Sequence, residues 1–186
     1  MARIPMDIDN RGLVGRGVAW YSRRRFGKVI QPAAVLAHHR GVLLANARLE
    51  RSVEKSWTVA DKTLRCLALM ASSAEIGCEW CIDFGYWVSV NQGVDRRKIE
   101  DVPRWRSSTA YTDVERQVLE YAEAMTATPP TVTDEMVAGL RAALDDRQVV
   151  ELTALIALEN SRSRINAAMG LQADGFKAEC AVRPVS

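Results

Sequence analysis

Apolar residues return at helical spacing along most of the chain, and nowhere do they alternate with polar ones as in a half-buried strand. Pro32 suits a first helical turn. After it Val35, Leu36, Leu43 and Leu44 fall at helical spacing, with Arg48, Glu50 and Arg51 towards the end. Residues 59–75 carry Leu64, Leu67, Leu69 and Met70, apolar on more than one face, which predicts a buried helix. Gly77 breaks it. The next helix starts around Cys78 and runs to Asn91, with Gly93 as its stop. Asp95–Val102 predicts a short helix halted by Pro103. Thr112 and Glu115 form a capping box, opening a helix with Val114, Val118, Tyr121, Ala122 and Met125 on one face, ended by Pro129-Pro130. Thr133 caps another, with Asp134 and Glu135 where the helix dipole favours negative charge and an apolar face of Met136, Val137, Leu140 and Leu144. The last long helix extends from Asp146 to Met169 and stops at Gly170. The fold class is therefore all-α, a bundle of about six or seven helices. Residues 1–17 hold three Gly and one Pro without a period and read as an arm. The expected organisation is an N-terminal arm with the start of a first helix over residues 1–30, and a helical domain over 31–186.

Composition narrows the class. The chain has 186 residues, is 48% hydrophobic and 26% charged, and balances 25 basic against 23 acidic residues. It can bury a core without disulfide or metal support, and its charge is too even to argue for nucleic acid. Arg23, Arg24 and Arg25 beside Trp20, Tyr21 and Phe26 read as a solvated helix end or an inter-subunit arm. No secretory leader and no membrane-spanning stretch are visible, so a cytoplasmic protein is expected. Thiols there stay reduced unless used for redox work or metal.

The four cysteines are Cys66, Cys78, Cys81 and Cys180, and one pair has a motif spacing, Cys78-Glu79-Trp80-Cys81. Three residues apart on a helix, the two sulfurs share a face. The break at Gly77 places Cys78 at a helix N-terminus, where free N–H groups and the dipole stabilise a thiolate, and a second thiol within reach closes the oxidised product as a disulfide. Zinc would want four ligands; Cys66, Cys180 and the adjacent His38 and His39 lack ligand spacing. A thioredoxin-like motif needs a βαβ context that is missing. Plain packing is the competing reading for the pair, and the preferred one for Cys66 and Cys180.

The stretch EIGCEWCIDFGYWVSVNQGV resembles the motif helix of alkyl hydroperoxidase D-like and carboxymuconolactone decarboxylase-like proteins, and the segment from Pro129 to Gly170 resembles the C-terminal half of one branch of that family. The likeness runs over about Pro32 to Phe176. It implies an all-α bundle that assembles into homo-oligomers, with Cys81 as the peroxidatic cysteine and Cys78 resolving. In the peroxidase members a Glu stands twelve residues before the first Cys, a His directly before the second, and another His four residues after it. Here those positions are Cys66, Trp80 and Gly85, so that proton relay is missing. Glu75, one helical step before Cys78, and Asp83, just after Cys81, are the candidate acid–base groups, with a solvated charge as the competing reading for each. Asn160 and Arg164 share a face of the last helix and read either as a helix end with capping and oligomer contacts or as candidates to orient a polar or anionic substrate.

The leading function is a thiol–disulfide oxidoreductase that reduces a peroxide or another oxidant, with a small-molecule substrate, a protein thiol as possible reductant, a homo-oligomeric assembly, and neither cofactor, metal, nucleic acid nor membrane. The rivals are a cofactor-free lactone decarboxylase-type enzyme and a non-catalytic binding or assembly protein that kept the fold and lost the relay.

Overall fold

The structure, a computed structural model, describes residues 2–8 and 12–182. Among these the regular elements are ten α-helices and one 3-10 turn, with no strand. The helices are α1 (Gly12–Phe26), α2 (Gln31–Leu36), α3 (Arg40–Ser56), α4 (Lys62–Ile76), α5 (Glu79–Asn91), α6 (Arg96–Glu100), α7 (Asp113–Thr126), α8 (Asp134–Ala143), α9 (Asp146–Ala168) and α10 (Phe176–Val182). The 3-10 turn, Val102–Arg104, takes in Pro103 and follows α6. The excess over the expected six or seven is made of short helices: α2, α6 and α10 hold 6, 5 and 7 residues.

The chain divides into two compact units. The first comprises the residues up to Trp57 together with Ala168–Leu171. Its α1 begins at Gly12, inside the stretch that reads as an arm from sequence. The single helix expected from Pro32 onward is two, α2 and α3. The break falls at His39, whose extended backbone and Nδ1, which accepts from the Val42 N–H at 3.2 Å, make it the N-cap of α3. His38 turns its Nε2 to the Pro5 carbonyl, 2.7 Å away. Ser22, buried on α1, donates to the Lys28 carbonyl and accepts from the Ile30 N–H, at 3.0 and 2.9 Å, and so fixes the turn into α2.

The second unit comprises Thr58–Ala167 and the residues from Gln172 on. The all-round apolar pattern of α4 has its cause here: α4 packs against both α5 and α7, α8 covers α7, and α10 lies on α5. Leu67, Leu119, Leu140, Leu152 and Ile156 form the centre of the core and are fully buried. The sequence-read caps hold. Thr112 and Glu115 exchange both capping-box bonds, and Thr133 accepts from the Met136 N–H. Gly77 takes the left-handed conformation that closes α4, at φ 73°. Ahead of α4, the buried Glu151 carboxylate accepts from the Val59 and Ala60 N–H groups at 2.9 and 3.0 Å. No helix among the described residues is long and apolar enough to cross a membrane.

Candidate functional site

The site begins with how α4 ends. Its last carbonyls are closed by a Schellman-type turn in which the Gly77 N–H bonds to the Ala74 carbonyl and the Cys78 N–H to the Ser73 carbonyl. The chain therefore reverses within one residue, and Cys78 becomes the N-cap of α5. Its sulfur takes the place a Ser or Asp oxygen usually fills and accepts from the Cys81 N–H at 3.2 Å. Cys81 lies one turn in. The two sulfurs are joined as a disulfide, with Cα atoms 5.2 Å apart. Both cysteines are buried, at 1% and 5% exposure.

The partners of the pair come from α9. Glu159, Ser163 and Asn166, at i, i+4 and i+7, form one buried stripe of that helix. The Asn166 side-chain N–H donates to the Cys81 sulfur at 3.3 Å. Oε1 of Glu159 accepts from Ser163 at 2.8 Å and from Ser73 at 2.9 Å, the same Ser73 whose carbonyl holds the Cys78 N–H. Oε2 of Glu159 faces Arg162 at 3.2 Å. Burial pushes the Glu159 carboxyl above its usual range, and Arg162 and the two hydroxyls only partly offset this.

The sequence-read candidates distribute differently. Asp83 is buried, and its carboxylate caps the start of α10: it accepts from the backbone N–H groups of Asp174, Phe176 and Lys177 at 2.7, 3.0 and 2.7 Å. Glu75 is exposed and lines an open cleft of about 210 Å³ with Arg106, Glu120, Glu123 and Met136. Asn160 donates to the Thr126 hydroxyl and to the Ile156 carbonyl, and Arg164 to the Thr126 carbonyl and the Thr128 hydroxyl. That face of α9 ties down the end of α7. The neighbouring face, with Glu159, Ser163 and Asn166, meets the cysteines. The crowding of polar residues at 159–166 is visible in the sequence; which face turns to the thiols is not.

Cys66 is buried and donates to Gln92 just past the far end of α5. The 13 residues of α5 span roughly 20 Å at the α-helical rise, so Cys66 stands well away from the Cys78 cap. Burial pushes its thiol up, against a weaker opposing bond to Ser89. Trp80, between the cysteines in sequence, stacks on Phe84 at 4.7 Å, and its buried indole N–H has no hydrogen-bond partner among the described residues. Gly85 faces Met70: a Cβ on it would lie 2.7 Å from the Met70 sulfur. The side chain of Cys180 lies outside the described residues. Among those described, no cluster of three or more His, Cys, Asp or Glu side chains is placed to hold a metal ion.

A helical bundle with a two-cysteine motif capping an inner helix defines a class of protein. The chain belongs to the carboxymuconolactone decarboxylase family, whose model matches residues 41–124. It is 33% identical to the uncharacterized protein YnjA of Escherichia coli (strain K12) over 164 residues, 88% of this chain and 90% of YnjA. Among solved structures, a cysteine-to-alanine variant of the debrominase Bmp8 in complex with 2,3,4-tribromopyrrole superposes at TM-score 0.82 with 18% identity, over 97% of this chain and 98% of that one. The alkylhydroperoxidase AhpD core, an uncharacterized peroxidase-related protein from Ralstonia eutropha JMP134, superposes at 0.80 with 17% identity, over 95% and 94%. At these identities the likeness is one of fold.

Proposed function

We propose that this protein is a thiol–disulfide oxidoreductase that reduces a small oxidant, of which a hydroperoxide is the simplest, through Cys78 and Cys81. The observation that carries the reading is the donor set on the two sulfurs: the Cys81 backbone N–H on Cys78 and the Asn166 side-chain N–H on Cys81. Donors aimed at sulfur stabilise a thiolate, as does the N-terminal end of α5. In the reduced protein the Cys81 thiolate attacks the peroxide, and the O–O bond breaks. The leaving oxygen takes up a proton and departs as an alcohol, leaving Cys81 as a sulfenic acid. The Cys78 sulfur then attacks Cys81, the S–O bond breaks, and water leaves as the disulfide forms. A dithiol reductant returns the pair by exchange and is itself oxidised to a disulfide.

The burial of both sulfurs supports a second reading, in which the pair is packing and the protein binds or assembles without chemistry. One experiment separates the two. The protein is reduced with dithiothreitol, desalted, and given one equivalent of a hydroperoxide under native conditions, and its thiols are mapped by mass spectrometry. The redox reading expects a Cys78–Cys81 disulfide with loss of two hydrogens, abolished in Cys81→Ser. Thiols that persist against both oxidant and alkylating agent in the folded protein select the packing reading.

A further inference from the structure

We propose that Asn166 is a catalytic residue of this pair: its side-chain amide holds Cys81 as the attacking thiolate. The proposal rests on the redox reading above and adds which residue selects the reactive sulfur. Three observations carry it. Asn166 is buried, and the bond its amide nitrogen makes is to the Cys81 sulfur. A buried amide donor is costly to leave unpaired, so its placement against sulfur is specific. Glu159 and Ser163, the other members of the same stripe, are engaged with each other and with Ser73, which leaves Asn166 as the member of the stripe that touches sulfur.

The reduced state gives this bond its work. A thiolate accepts an N–H far better than a disulfide sulfur or a thiol does, so the amide favours the ionised form of Cys81 over its protonated form. Asn carries no charge of its own, so it supplies this donor at any pH, where a histidine at such a place would titrate. The titratable and charged groups on the elements around the pair are Cys78 itself, Glu79 and Asp83 on α5, Glu75 near the end of α4, Glu159 and Arg162 on α9 and, from α10, Lys177, whose ammonium lies over the Tyr86 ring. Asp83 is committed to the N–H groups that open α10 and Glu159 to its hydroxyls, so neither replaces the amide at sulfur.

The test reads Cys81 alone. In a Cys78→Ser background, alkylation of Cys81 by iodoacetamide is followed against pH by peptide mass spectrometry, with Asn166 intact, with Asn166→Leu and with Asn166→Asp. The expected result is a rise in the Cys81 midpoint by about one unit in Asn166→Leu, roughly tenfold less thiolate at a pH below both midpoints. Asn166→Asp, which sets a carboxylate against the sulfur, should raise it at least as far. A midpoint in Asn166→Leu equal to that with Asn166 intact overturns the proposal, whatever Asn166→Asp shows. If Asn166→Leu does not fold, as judged by its thermal melt, Asn166→Ala, which removes the donor without adding a charge, carries the same comparison. With Cys78 restored, Asn166→Leu should slow disulfide formation by hydroperoxide about tenfold without reducing its final extent. A parent protein that never forms the disulfide defeats the redox reading; an Asn166→Leu variant that forms it as fast as the parent defeats the role of Asn166.

Discussion

Ser73 on α4 donates its hydroxyl hydrogen to Oε1 of Glu159 on α9 across 2.9 Å, and the carbonyl of the same Ser73 receives the N–H of Cys78. A carboxylate buried in the second unit is thereby two hydrogen bonds removed from the Cys78–Cys81 pair. Its burial, only partly countered by Arg162, holds the carboxyl above its usual range. The sign of the consequence is fixed. A folded-state value above the unfolded one favours the native state below the unfolded value, and that contribution is lost as pH rises through the folded value. Glu159→Gln, which keeps the size and an acceptor oxygen but removes the charge, should melt at a higher temperature than the parent at pH 7. The gain should shrink towards zero as pH falls to about 4, near the unfolded value. A variant less stable at pH 7, or a gain independent of pH, would contradict this account.

Asp83 holds three backbone N–H groups at the start of α10 from 91, 93 and 94 residues away. Asp83→Ala leaves those donors without their acceptor, at a cost of about 1–3 kcal/mol for a buried group. Hydrogen exchange should then show lost protection at 174–177 with protection in α4 and α7 retained. Unchanged exchange at 174–177 would mean that α10 docks through Phe176 and its aromatic neighbours alone.

The two effects show what a sequence can and cannot display. Local signals are legible: the Thr112–Glu115 box, the Thr133 cap and the Gly77 stop each need a few adjacent residues, and each is where the pattern places it. The Cys78–Cys81 pair is legible for the same reason. α10 is not, because it is short and its first N–H groups are satisfied by Asp83, far off in sequence. The break at His39 is hidden because histidine rarely caps a helix, and here its ring nitrogen does so. Around the pair, two polar faces of α9 look equivalent in sequence. Asn160 with Arg164 turns to Thr126 and Thr128, while Glu159, Ser163 and Asn166 turn to Ser73 and Cys81. Only packing tells them apart.

Packing also bears on assembly. The apolar excess of residues 59–75 and the aromatic Trp80, Trp87 and Trp105 argue from sequence for a covering partner, yet Trp80, Trp105 and most apolar residues of α4 are buried within the chain, with Trp87 and Leu69 partly so. The large apolar side chains left exposed include Leu13, Trp20 and Tyr21 on α1. A homo-oligomer therefore remains a proposal, one that now calls for α1 as its contact. Trp20→Glu should lower the sedimentation coefficient of an oligomeric parent at micromolar concentration; an unaltered coefficient places the contact elsewhere.

Cys66 occupies the place where relay-bearing members of the family are expected to carry a glutamate, yet it bonds to Gln92 beyond the far end of α5. A carboxylate there is out of reach of the pair and buried. Cys66→Glu should therefore bring no increase in the rate of hydroperoxide-driven disulfide formation, while costing stability on the order of 3 kcal/mol. With its thiol pushed up by burial, native Cys66 should also be alkylated more slowly at neutral pH than the reduced pair. A rate gain in Cys66→Glu, followed by stopped flow, would restore the family relay to consideration.

Gly85 stands where those members carry a histidine, and its fit against Met70 decides what the position tolerates. On helix propensity alone, Gly85→Ala in the middle of α5 should stabilise by about 1 kcal/mol. A Cβ there would meet the Met70 sulfur at 2.7 Å, so the methionine must move inside a filled core, where overpacking costs typically 1–3 kcal/mol. The thioether is flexible, which places the net effect near the lower end, neutral to slightly destabilising. The two residues should therefore couple. In a Met70→Ala background the obstruction is gone, and Gly85→Ala should recover the propensity gain, giving a coupling of about 1 kcal/mol in a double-mutant cycle measured by urea denaturation. A histidine at this position, larger still, should be tolerated in the Met70→Ala background better than in the parent. Equal effects of Gly85→Ala with and without Met70 would show that the contact is slack and that the glycine is kept for another reason.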